Sequence, residues 1–122
     1  MKLSEIRNIL DAVVLAGEAR LQKSVHRAYC ADLMSDVLSF SLANSLLITG
    51  LTNAQVVRTA EMAEIEVIVF IQSKRPDMET IQLAEEKHIP MLSTDYSMFD
   101  TCGRLYENGI RSHAYAESRP GT

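Results

Sequence analysis

The sequence predicts a three-layer α/β/α domain built on a mainly parallel sheet. Three short runs, Leu46-Leu47-Ile48, Val67-Ile68-Val69-Phe70-Ile71 and Met91-Leu92, are apolar at successive positions, as strands covered on both faces require. Helical segments at 53–64, 77–87 and 96–108 follow these runs, and each is long enough to cross over a sheet or cover it. Strand-helix-strand crossovers are almost always right-handed, so the helices distribute predictably about a parallel sheet.

The chain begins with Leu3, Ile6, Ile9, Leu10 and Val13 at spacings of three and four, an amphipathic helix with Ser4 placed to cap it. Val13-Val14-Leu15, ended by Gly17, and the segment 25–30 read as two further strands flanking the polar stretch 18–24. In a helix over 35–43, Val37, Leu38, Ser41 and Leu42 define one side, and Phe40 falls off it beside Asp36 and Ala43. In the next helix Val56, Val57, Ala60 and Ala63 form the core stripe, while Met62 points away with Gln55 and Thr59. Thr52 followed by Gln55 has capping-box spacing. His88 stands before Ile89-Pro90 where a helix ends, and histidine tolerates left-handed backbone angles, so its role reads as structural. Residues 113–122 carry no apolar period and are expected to form a mobile tail beyond a single domain of 1–112.

Composition narrows the function classes. The 122 residues are 47% hydrophobic and carry a net charge of -4, with 6% aromatics and no basic stripe. Nucleic acid and anionic membrane are therefore poor partners, and no stretch approaches the ~20 apolar residues of a membrane span. The expected location is cytoplasmic. One core of this size folds without staples, so Cys30 and Cys102, which lack a C-x-x-C context, are expected as small core residues without a bridging role.

Motifs for catalysis are missing from the pattern. The five glycines are not spaced as a phosphate loop or a dinucleotide fingerprint, and there is no G-x-S-x-G elbow. His26 and Cys30 form the only close metal-type pair, but on a strand they would stand ~13 Å apart. The expectation is no enzyme: no catalytic residue, no metal and no cofactor.

A ligand site is expected beyond the carboxyl ends of the strands, where loops diverge and helix N-termini present free N–H groups. Those ends carry Asp32 and Ser35, then Thr49, Gly50, Thr52 and Asn53, then Ser73 and Lys74, then Ser93, Thr94 and Asp95. The ligand-binding set is taken as Asp32, Ser35, Thr49, Gly50, Thr52, Asn53, Ser93, Thr94 and Asp95. Thr52, Asn53, Thr94 and Asp95 also have the chemistry of plain helix caps.

The segments CADLMSDVLSF (30–40), LLITGLTNAQVVRTAEMAEIEVIVF (46–70) and KHIPMLSTDYSMFDTCGRLYENGI (87–110) resemble the DRTGG domain in its short stand-alone form. Asp32 aligns with the aspartate of the family's name and Thr49-Gly50 with its threonine and glycine. Leu33 stands where an arginine is usual and Leu51 where a second glycine is usual, so the obvious anion clamp is absent. The resemblance implies a fold like the N-terminal domain of HPr kinase/phosphorylase, without the nucleotide-binding half that would make a serine kinase. Family members also occur beside CBS domains in regulatory pyrophosphatases and within phosphotransacetylases. Short members are often encoded near iron-only hydrogenase subunits, which implies a hydrogenase-related enzyme partner.

The function expected on these grounds is a non-catalytic regulatory module, dimeric, binding a nucleotide or small metabolite and modulating a partner enzyme. The alternatives are a small enzyme acting on a phosphorylated or nucleotide substrate, and a ligand-free structural subunit. The homodimer is expected through Phe40 and Met62, apolar residues that the core stripes leave over.

Overall fold

A computed structural model describes residues 1–112; the tail expected at 113–122 lies outside the described residues. Helix α1 (Leu3–Ile9) leads into strand β1 (Val13–Ala16), a 3-10 turn (Glu18–Arg20) and strand β2 (Ala28–Cys30). Helix α2 (Met34–Phe40), strand β3 (Leu46–Thr49), helix α3 (Ala54–Met62) and strand β4 (Val67–Phe70) follow. Helix α4 (Met78–Glu86), strand β5 (Met91–Ser93) and helix α5 (Met98–Glu107) complete the order.

The sheet runs β1-β5-β4-β3-β2, with β2 to β5 parallel and β1 antiparallel to β5. The parallel strands thus lie side by side in sequence order. Right-handed crossovers in one direction all return on the same face, and α2, α3 and α4 do share a face: Val37, Val56, Val57, Ala60 and Ala84 pack with Leu47, Ile68, Phe70 and Met91. Leu3 and Ile6 of α1, Leu10 just past its end and Leu105 of α5 cover the other face, against Leu46, Ile48, Val67, Val69 and Leu92. Successive residues of β3 and β4 serve opposite cores, which is why both runs are apolar throughout.

Several boundaries differ from expectation for identifiable reasons. Lys2, not Ser4, occupies the cap position of α1, because the N–H groups of Leu3 and Ser4 donate to the carbonyls of Lys23 and Leu21 and need no side-chain acceptor. The same pairing shortens β2. Ser24 bridges Lys2, and Val25 donates its N–H to Met1, so the segment 24–25 belongs to the N-terminus and the strand begins at Ala28.

Helix α2 stops at Phe40, where Ser41 turns extended and its hydroxyl donates to the Val37 carbonyl. Of the expected stripe only Val37 is buried; Leu38 and Leu42 are exposed. In α3, Asn53 stands at the cap without a side-chain bond, so the Thr52–Gln55 box does not form, and Gln55 reaches Thr59 instead. Thr59 is fully buried rather than outward, whereas Met62 is exposed as expected. The caps that do form are Asp77 on α4 and Ser97 on α5; Thr94 and Asp95 lie outside the helix. His88 adopts φ 60 just after α4, as its position implied. Among the described residues no helix is long and apolar enough to cross a membrane.

Candidate functional site

The carboxyl ends of β2, β3 and β4 bring together residues from three loops. Asp32, two residues past β2, accepts from the backbone N–H of Gly50 at 2.7 Å and from the Thr49 hydroxyl at 3.1 Å. The Thr49 oxygen accepts in turn from the N–H of Leu51 at 3.2 Å. One carboxylate therefore sets the start of the loop that leads from β3 into α3. Thr49 is buried, so its hydroxyl works inside this bracket, while Asp32 is exposed and Gly50 half-buried.

Lys74 comes to the same place from the β4 loop. Gln72 and Ser73 both take left-handed backbone angles, φ 54 and 60, which non-glycine residues adopt at a cost. Their N–H groups donate to the carbonyls of Tyr96 and Thr94, which holds the turn against the β5 loop. The chain is folded back by this turn, and the Lys74 ammonium lies 3.1 Å from the position a Cβ would take on Gly50. Only glycine leaves that space open. Among the described residues Lys74 forms no ion pair; the two pairs present are Lys23–Glu66 and Lys87–Glu61.

The remaining expected residues are placed differently. Ser93 donates to the Lys74 carbonyl and Thr94 to the Leu10 carbonyl, and both are buried, so their hydroxyls tie the β5 end to its neighbours. Asp95 accepts from the Ser73 hydroxyl and braces the turn that carries Lys74. Asn53 opens onto a separate groove of about 410 Å³ between α3 and α4, shared with Arg58 and Asp77. There the cap bonds from Thr80, backbone first, hold the Asp77 carboxyl below the ordinary carboxylate range. Ser35 lies in the first turn of α2, exposed, and Thr52 is half-buried before α3. Among the described residues no three His, Cys, Asp or Glu side chains gather as a metal-ligand group.

The aspartate, threonine and glycine that align with the family's name are thus bonded to one another, and the DRTGG domain model matches residues 5–107. The chain belongs to the DRTGG domain family. It is 32% identical over 103 residues to YtoI of Bacillus subtilis (strain 168), a protein described as uncharacterized, covering 84% of this chain and 23% of that one. The fold is similar, with a TM-score of 0.69 and 18% identity, to a crystal structure of the CBS and DRTGG domains from the regulatory region of Clostridium perfringens pyrophosphatase, in complex with the activator diadenosine tetraphosphate. That likeness covers 85% of this chain and 45% of the other. The chain therefore spans less than a quarter of YtoI and under half of the pyrophosphatase regulatory-region chain. Leu33, beside Asp32, is exposed and Leu51, beside Gly50, is half-buried, and the cation nearest Gly50 is Lys74.

Sequence reasoning placed Lys74 at a strand end but left it out of the binding set, since its approach to Gly50 depends on the double left-handed turn before it. The cysteines also differ from the expected core placement: Cys30 is exposed, Cys102 half-buried, and both line one cavity between β2 and α5.

Proposed function

We propose that this chain is a non-catalytic regulatory module that binds a small phosphate-bearing anion, of the nucleotide class, over Gly50 and signals its occupancy to a partner enzyme. The observation that carries this reading is the Lys74 ammonium, unpaired with any described carboxylate and set above a glycine backbone at the mouth of α3. A cation beside a glycine-lined loop and a helix N-terminus is the arrangement that phosphate groups favour. The two left-handed residues before Lys74 support it, because strained backbone held by neighbouring bonds clusters at ligand sites. Asp32 spends an oxygen on two internal donors, which suits positioning rather than proton transfer. The nucleotide activator in the Clostridium perfringens regulatory region supplies the ligand class.

We also propose a homodimer through the outer helical layer, where Phe40 of α2 and Met62 of α3 are each about two-thirds exposed.

The test of the ligand reading is thermal unfolding with adenine nucleotides, diadenosine tetraphosphate and inorganic phosphate, on the wild type and on Lys74→Met. A ligand at 100 times its Kd should stabilise the wild type by ~2.7 kcal/mol. The variant should keep its own unfolding temperature and lose the response. Equal responses in both proteins would remove Lys74 from the site, and a wild type indifferent to every anion would leave a structural subunit as the better reading.

A further inference from the structure

We propose that Cys30 and Cys102 form a reversible dithiol–disulfide pair, a thiol-oxidation site that ties the end of edge strand β2 to helix α5. The two residues come from opposite parts of the chain, yet both line one mainly apolar cavity of about 200 Å³ between that strand and that helix. Ala28, Ile48 and Leu105 wall it, and Cys30 is exposed at its rim. Cys30 and Ala28 lie on the same face of β2, and Ala28 packs on the same core cluster as Cys102 and Leu105 of α5, so the two cysteines face one cavity from its two walls.

The local charges divide the labour between them. Cys30 beside it brings the Cys102 thiol down to about 7, against the desolvation of its half-buried site. Cys30 is pushed up, first by its interaction with Cys102, then by burial and by the negative charges of Cys102 and Asp32. Arg111, also at the cavity, lies over the Tyr106 ring at 3.7 Å and donates to the carbonyls of Tyr106 and Ile110. Cys102 is thus the nucleophile and Cys30 the resolving thiol.

With a hydroperoxide as oxidant the reaction balances. The Cys102 thiolate attacks one peroxide oxygen, the O–O bond breaks, and the departing alkoxide takes a proton, leaving Cys102 as a sulfenic acid. Cys30, giving up its own proton, attacks the Cys102 sulfur; the S–O bond breaks and hydroxide leaves as water. Two thiols have lost two electrons and two hydrogens, and the hydroperoxide has become an alcohol and water.

The test uses the full chain, reduced and then exposed to hydrogen peroxide, with free-thiol titration and intact mass under denaturing, non-reducing conditions. The expected result is a monomeric chain that loses both thiols together and two hydrogens of mass, and regains them with dithiothreitol. In Cys30→Ala, which removes both the resolving thiol and its hydrogen-bond donor, Cys102 should accumulate as sulfenic acid, and the midpoint of its alkylation against pH should rise toward an ordinary thiol. Loss of one thiol without the other in the wild type, cross-linking only between chains, or two inert thiols would each overturn the proposal. Because the wild-type measurement decides on its own, a Cys30→Ala chain that failed to fold would not rescue it.

Discussion

The Asp32 carboxylate and the Gly50 N–H, eighteen residues apart, meet at 2.7 Å across the ends of two neighbouring strands. The Thr49 hydroxyl joins the same oxygen at 3.1 Å, so one side chain organises the whole entry to α3. Removing it should unfasten that loop without opening either core. Asp32→Ala is expected to cost about 1–2 kcal/mol, the scale of hydrogen bonds to a partly solvated charged acceptor. Asp32→Asn, which keeps an acceptor oxygen, should cost less. Urea unfolding of both variants gives the comparison, and equal losses would show that the charge rather than the acceptor geometry holds the loop.

Gly17 ends β1 at φ 79, and a Cβ there would lie 2.7–2.9 Å from atoms of Pro90, beneath any real contact distance. Neither the backbone angle nor the proline ring can yield cheaply. Gly17→Ala should therefore destabilise the fold by at least about 2 kcal/mol, from left-handed strain plus overpacking. A substitution measured within half a kilocalorie of wild type would mean that β1 shifts freely against β5.

The central strands were legible because burial on two faces leaves a local mark: Leu46 and Ile48 serve one core, Leu47 the other, and all three are apolar. His88 was legible for the same reason, since a helix end and Ile89-Pro90 are adjacent in sequence. The start of β2 was not, because Ser24 and Val25 are claimed by Lys2 and Met1, a pairing with no local signature. Likewise the approach of Lys74 to Gly50 follows from two left-handed residues that are neither glycine nor asparagine, and the meeting of Cys30 with Cys102 follows from α5 crossing beneath an edge strand. In each case the deciding contact is made by the tertiary fold.

Gly50→Ala separates the site's two roles. The nearest atom to an added methyl is the Lys74 ammonium at 3.1 Å, the far end of a flexible side chain, with the Asp32 oxygen at 3.6 Å and Ile71 at 3.7 Å. The lysine can give way, so stability should change by less than about 1 kcal/mol. Anion response should nevertheless fall, because the methyl takes the space between ammonium and backbone. Calorimetric titration with a nucleotide, beside thermal unfolding, distinguishes this from a variant that simply folds less well.

Phe40→Asp tests the proposed dimer. Phe40 is 67% exposed at the end of α2, and the aspartate would leave the buried Val37 on the same helix untouched. Sedimentation is expected to show a wild-type dimer at micromolar concentration and a folded Phe40→Asp monomer. A wild-type monomer would reject the interface; a dimer that tolerates the aspartate would move it elsewhere on the surface.

The cap of α4 gives a pH dependence whose sign is set. Asp77 accepts from the Thr80 N–H at 2.9 Å, and this bonding holds its folded-state carboxyl below the ordinary value. A group depressed on folding contributes stability that is fully present above its unfolded pKa and disappears as pH falls through the folded one. Asp77 therefore stabilises α4 at neutral pH and withdraws that support in acid. Asp77→Asn keeps an oxygen for the cap but removes the titration. Its unfolding temperature should fall less steeply than that of the wild type between neutral pH and the acid side of the carboxylate range, the two curves converging as Asp77 becomes protonated. Parallel curves across that interval would show that the cap contributes through its geometry alone.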